Sequence, residues 1–328
     1  MGDVRLVGKG GSQVSRPWLV ADGHVDSLGD VVLGRRRLGQ AGKGQWDAPR
    51  SQSANVRLQT LACWVEPRYK PERALAQLLA LVEAFWEEVE VTPGVRAITR
   101  AQDLEALTAD GAYGWLLAVE GVDGHAATLS GLRLLFRLGV RLLSLTWNER
   151  NGLADGAGED PGGGGLSRAG RAYVREMNRL GMVVDVAHLA EAGFWDVLDL
   201  SERPVLASHA NCWTLAPHPR NLRDRQLRAL ARQGGMVGLT FVPEFLGGTP
   251  SVDRVVDHVL HVLDVVGDDR HVGWGSDFDG VEVPVPGLAS VADVPRLAER
   301  MLERGLSETT VARVMGENLM AFWQQALP

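Results

Sequence analysis

His24 and Asp26 stand one residue apart in "ADGHVDSL", directly after the apolar run "PWLV". Side chains at i and i+2 of a strand leave the same face, so an imidazole and a carboxylate would enter one cavity together. That is a geometry for holding a cation. Four more residues of ligating type close other strand-like runs: Glu120 in "GWLLAVEG", His188 in "GMVVDVAHL", His209 in "RPVLASHA" and Asp277 in "HVGWGSDFDG". Singly, each also reads as a helix cap, a loop hydrogen-bonder or a satisfied core group. Gathered at one low-dielectric mouth, three imidazoles and three carboxylates would leave buried charges unpaired, a cost that cations relieve. Imidazole with carboxylate suits Zn²⁺ or a similar first-row ion. Five such side chains exceed what one catalytic zinc takes while keeping a position open. Two Zn²⁺ per chain is therefore the economical arrangement, with His24 and Asp26 on one ion, His188 and His209 on the other, and Glu120 shared. Two metals about 3.5–4 Å apart can bridge and deprotonate a water near neutral pH and polarise a substrate oxygen. Such a centre hydrolyses.

These residues meet only if their strands do. Eight short apolar runs qualify, at 18–26, 56–65, 114–121, 140–148, 181–189, 203–210, 234–243 and 271–280. Helical periodicity separates most of them, at 71–90, 167–181, 222–235 and 251–267; Ser167 is placed to cap one start and Gly181 its end. Two helical stretches, 294–305 and 309–327, close the chain, the second broken near Gly316. Near-continuous apolar strands alternating with helices predict a parallel sheet, and eight such units predict an α/β fold of the closed (β/α)₈, TIM-like type. An open doubly wound sheet is the competing topology. In a barrel the ligand types would lie at the C-terminal ends of the strands, where barrel enzymes carry their chemistry. The glycine-rich loop "GAGEDPGGGG" at 156–165 would sit at that mouth as a mobile lid.

The chain has 328 residues, 45% of them hydrophobic, which accommodates one domain over 1–328 with no linker to divide it. Its net charge of −7 comes without a basic run, so a nucleic-acid partner has no footprint. No secretory-signal centre is visible near the N-terminus, and no apolar stretch approaches a membrane span, so the expectation is a soluble, cytoplasmic protein with no membrane partner. Cys63 and Cys212 read as buried thiols. His125, His258, His261 and His271 read as structural by position, while His218 is placed to face the mouth without an assigned role. "GKGGS" at 8–12 precedes the first strand, whereas a phosphate loop should come after one.

The segments "DGHVD", "AVEG", "SLTWNERNGLADG", "GLSRAGRAYVREMNRLGMVVDVAHL", "ASHANCW", "HPRNLRDRQL" and "GSDFDG" occur in that order along nearly the whole chain. In this the sequence resembles the membrane dipeptidase (renal dipeptidase) family of zinc peptidases, in a soluble, bacterial-type form. The resemblance implies the same ligands: His24 and Asp26 on the first zinc, Glu120 bridging, His188 and His209 on the second. It further implies that Arg220 grips the carboxylate of a dipeptide substrate, that Asp277 handles protons, and that the molecule is a homodimer. Both residue roles fit their chemistry, since a guanidinium offers a bidentate fork and a carboxylate beside an activated water can carry its proton. Animal members place a histidine after the fourth strand where this chain has Trp147. An indole donates a hydrogen bond but carries no charge, which would leave the oxyanion to the zinc ions and Asn148. The expected activity is hydrolysis of L,L- and L,D-dipeptides through a metal-bridging hydroxide. The alternatives are a binuclear-metal enzyme acting on a lactone, cyclic amide or phosphoester, and an inactive metal-binding protein that recognises a partner.

Overall fold

The computed structural model describes residues 18–109 and 111–328. The stretch read for a secretion signal and the "GKGGS" segment lie outside the described residues. Among the described residues nine strands form, β1 (Val20–Val25), β2 (Val56–Trp64), β3 (Val95–Ala97), β4 (Tyr113–Glu120), β5 (Val140–Ser144), β6 (Val183–Asp185), β7 (Leu206–Ala207), β8 (Met236–Leu239) and β9 (Val272–Trp274). All pair in parallel, in the order β2-β1-β9-β8-β7-β6-β5-β4-β3, and β2 also pairs with β4. That last pairing closes eight strands into a barrel and excludes the open sheet. The strand absent from the eight predicted is β3, whose three residues carry no apolar run. It pairs with Tyr113–Trp115 of β4, below the point where β5 joins at Leu117.

The helices are α1 (Leu28–Val32), α2 (Ala48–Ser53), α3 (Ala74–Val91), α4 (Glu105–Ala109), α5 (Leu129–Arg137), α6 (Arg168–Leu180), α7 (Glu191–Leu200), α8 (Asp224–Arg232), α9 (Val252–Val266), α10 (Pro295–Glu303), α11 (Glu308–Ala312) and α12 (Asn318–Ala326). Ser167 caps α6 by accepting from the Gly170 N–H at 3.0 Å, and Gly181 ends it in the left-handed region at φ 79°. Both agree with the sequence reading. The expected break near Gly316 is instead a π-helical turn, Arg313–Glu317, joining α11 to α12. A Cβ at Gly316 would stand 2.7 Å from both Leu19 O and Ala21 N, so the bulge and the glycine together let the helix backbone lie against β1.

Burial explains the apolar strands. Their outward faces pack under the helices in one large cluster. A second cluster joins Leu58, Leu116, Leu142, Val183, Leu206 and Met236 of the strands to Leu319, Phe322 and Trp323 of α12. The last helix therefore plugs the N-terminal end of the barrel. Cys63 and Cys212 are free and fully buried, as expected. No helix among the described residues is long and apolar enough to cross a membrane.

The loop 156–165 is anchored where it begins. Ala157 N–H donates to His188 O at 2.7 Å and Gly158 N–H to Asn148 O at 2.9 Å. It is tied to the backbone of two mouth loops, so the free lid suggested by its glycine content is not what its first half forms.

Candidate metal centre

His24 lies within β1 and Glu120 ends β4, while Asp26, His188, His209 and Asp277 fall one to three residues past β1, β6, β7 and β9. The predicted runs at 181–189, 203–210 and 271–280 are thus longer than the strands inside them. Past β6 and β9 the chain turns sharply: His188 and Asp277 both adopt left-handed backbone, φ 66° and 65°, which points their side chains back over the mouth. The β9 loop is stitched to β1, Asp277 N–H donating to His24 O at 3.1 Å and Asp26 N–H to Phe278 O at 3.0 Å. Beneath it, Asp22 accepts from Ser276 N–H at 2.9 Å and from His24 N–H at 3.2 Å.

All five expected ligands converge. Glu120 Oε2 lies 3.6 Å from His24 Nε2, which is 3.3 Å from Asp26 Oδ2 and 4.0 Å from Asp277 Oδ1. Glu120 Oε1 faces the other way, 2.6 Å from His188 Nε2 and 3.5 Å from His209 Nε2. His188 Nε2 and His209 Nε2 are 2.8 Å apart. One carboxylate thus offers one oxygen to each half of the cluster.

The residues fit a pair of cations. His24 Nε2 and Asp26 Oδ1 are buried without a hydrogen-bond partner among the described residues, a costly state that a cation would relieve. Gly280 leaves room there, since a Cβ on it would collide with the carboxylates of Asp26 and Asp277. Electrostatics agree. Burial and the neighbouring Glu120 charge push the Asp26 carboxyl well above the usual range. Burial opposes a charge on His24, yet Asp26 and Glu120 outweigh it and hold that imidazole well above its ordinary value, as an acidic site short of positive charge would. Burial would raise Glu120, but His188 and His24 hold it well below the carboxylate range. Burial pushes His188 and His209 down to about 3, against the opposing pull of Glu120 on both rings.

Arg220 is 5% exposed, so a surface ion pair is excluded. Its Nη2 donates to His209 O at 3.1 Å and its guanidinium lies over the Phe245 ring at 5.5 Å, while Nε has no partner. No carboxylate pairs with it directly among the described residues. His218 shapes that turn: its Nδ1 accepts from Arg220 N–H at 3.2 Å and its ring stacks on Phe245 at 4.4 Å. Trp147 packs between Trp64 and His188, with Lys70 Nζ 5.7 Å from its ring centre. Asn148 turns inward, its Oδ1 2.8 Å from His188 Nδ1. A cleft of about 530 Å³ opens over Glu120, Asp277, Arg220, Trp64, Trp147 and Phe245. Of the remaining histidines, His258 bonds Cys212 N–H and Leu246 O, His261 pairs with Asp224 and His271 bonds Gly235 O. Sequence reasoning missed Asp22, Asp185, Ser208 and Ser276, short polar residues inside apolar runs whose only signal was their place beside the ligands.

A closed parallel barrel with imidazoles and carboxylates converging at its C-terminal mouth defines a metal-binding (β/α)₈ protein. The particular lineage emerges from comparison. The family model described as membrane dipeptidase (peptidase family M19) matches residues 11–327, and the chain belongs to that family. It is 40% identical over 225 residues to the dipeptidase tcpJ of Claviceps purpurea, covering 67% of this chain and 53% of that one. With the dipeptidase verJ of Clonostachys rogersoniana it shares 37% identity over 258 residues, or 78% and 66% of the two chains. The chain thus spans about half to two thirds of those relatives. Among solved structures, a family M19 metallopeptidase described as dipeptidase AC superposes with a TM-score of 0.88 at 30% identity, covering 95% of this chain and 99% of that one. A metallopeptidase from Rhodobacter sphaeroides, liganded with a phosphinate mimic of the dipeptide L-Ala-D-Ala, superposes with a TM-score of 0.87 at 29% identity over 95% and 100% of the chains.

Proposed function

We propose that this protein is a dipeptidase that hydrolyses L,L- and L,D-dipeptides with two zinc ions held by His24, Asp26, Glu120, His188 and His209. The observation that carries the reading is the division of Glu120, one oxygen toward His24 and the other toward His188 and His209. Bound there, two zinc ions would supply Lewis acidity to activate water and polarise the scissile carbonyl. The chain's own residues do the rest. Arg220, buried and lacking a carboxylate partner, receives the substrate's C-terminal carboxylate, to which hydrogen bonds from a charged donor are about twice as strong as neutral ones. Asp277, whose carboxylate lies with His24 and Asp26 in one group of ligating atoms within 4.8 Å of one another, takes a proton and returns it to the departing amine. Trp64 and Trp147 wall the cleft and exclude water from one side of the bound peptide. An L,D-substrate is supported by the mimic bound to the Rhodobacter sphaeroides relative. Asp26→Ala and Glu120→Ala, assayed with added zinc on a panel of L,L- and L,D-dipeptides, test the proposal: turnover should be lost in both, and full retention in either contradicts it. Dipeptides blocked as C-terminal amides should be poor substrates, and equal turnover of the amides would point instead to a bond that needs no free carboxylate.

A further inference from the structure

Beneath the cluster, four hydrogen bonds converge on one buried carboxylate. Asp185 Oδ1 accepts from Ala187 N–H at 3.0 Å and Ser208 N–H at 2.9 Å; Oδ2 accepts from Ser144 Oγ at 2.8 Å and Ser208 Oγ at 2.6 Å. Ser208 Oγ also lies 2.7 Å from His209 Nδ1. A hydroxyl has one hydrogen. Because Ser208 gives its hydrogen to the carboxylate, it can only accept from the imidazole, so His209 carries its hydrogen on Nδ1 and presents a bare lone pair at Nε2. The same logic holds at His188, whose Nδ1 faces Asn148 Oδ1, an oxygen that only accepts.

We infer that Asp185, acting through Ser208, and Asn148 are positioning residues that hold His209 and His188 in the Nδ1–H tautomer and so aim both Nε2 lone pairs at one cation. Resting on the metal-centre reading, this adds what prepares that half before the ion arrives. Two lone pairs 2.8 Å apart repel, and Glu120 Oε1 adds a third acceptor 2.6 Å from His188 Nε2, so the arrangement asks for positive charge at their meeting point. The site is built where β5, β6 and β7 end: Ser144 and Asp185 are the last residues of β5 and β6, Ser208 follows β7, and all three are buried. Had the carboxyl of Asp185 held a hydrogen and given it to Ser208, the relay would run the other way and leave His209 protonated at Nε2.

Two measurements on the full chain test this. The first titrates zinc-loaded protein with a chelator and counts retained ions. Asp185→Asn presents an amide N–H to Ser208, reversing the relay, and Asn148→Ala removes the acceptor at His188. Each should weaken one of the two ions by about 10–100-fold, the usual effect of removing an outer partner of a metal ligand. Asn148→Asp, which keeps an oxygen at that place, should restore retention. The second reads ring ¹⁵N shifts of histidine-labelled, metal-stripped wild-type protein, where His188 and His209 should show hydrogen on Nδ1. Unchanged zinc retention in both Asp185→Asn and Asn148→Ala, or hydrogen on Nε2 of either ring in the wild type, overturns the inference. The tautomers are readable even if no dipeptide is turned over, so failure here is separable from failure of the proposed function.

Discussion

The two ends of the barrel are made from the same strands and do opposite work. On β4, Leu116 and Ala118 belong to the apolar plug beneath α12, and the next residue on that face is Glu120. On β5, Leu142 is followed by Ser144; on β6, Val183 by Asp185; past β7, Leu206 by Ser208. One step of two residues, about 6.6 Å along a strand, separates packing from chemistry. The lower half gains its stability from apolar surface removed from water and asks for no partner. The upper half concentrates ionisable groups where water cannot solvate them, a cost sustained only by mutual hydrogen bonds and by cations. Within the mouth the halves differ again. His188 and His209 are braced by Asn148 and by Asp185 through Ser208, whereas His24 Nε2 and Asp26 Oδ1 have no hydrogen-bond partner among the described residues.

If the division is real, the two ends should fail separately. Removing the metals with a chelator should lower dipeptide turnover by on the order of 10³-fold or more, with far-UV circular dichroism unchanged and activity restored by zinc. A molecule that unfolds on metal loss would break the comparison. Trp323→Ala, at the opposite end and fully buried, should cost about 3–5 kcal/mol in denaturant unfolding while leaving KM of the folded enzyme unaltered. A changed KM would mean that the plug communicates with the mouth. Arg220→Met keeps much of the bulk but removes the charge; KM for dipeptides should rise about 10–100-fold, the worth of a charge-assisted hydrogen bond or two, and kcat should change less. The smallest effect is expected at Trp147→Phe. It weakens the contact with Lys70, worth about 0.5–1 kcal/mol at such sites, so kcat/KM should shift only a few-fold, in a manner that depends on the dipeptide's side chains.

Much of this division is written in local pattern. Apolar runs ending in histidine or an acid placed His24, Asp26, Glu120, His188, His209 and Asp277 at one rim, because parallel strands buried on both faces must be apolar and must end where their side chains change character. The capped ends of α6 were legible because Ser167 and Gly181 act over a few residues. Strand β3 was not, since three residues held against the lower edge of β4 need no apolar face of their own. The turn at Gly316 looked like a break because a glycine in a helical pattern gives the same signal whether it ends the helix or brings it against β1.

The sequence by itself determined the class of fold and the kinds of side chain at the mouth, for both derive from spacing along one strand or helix. Only the tertiary structure decided how Glu120 shares its two oxygens, that Arg220 lies buried over Phe245, that the loop 156–165 is tied to residues 148 and 188, and which groups meet the Nδ1 atoms of His188 and His209. Those depend on angles and distances between groups far apart in the chain, and a hydrogen bond is made or lost over a few tenths of an ångström that no pattern of residue types records.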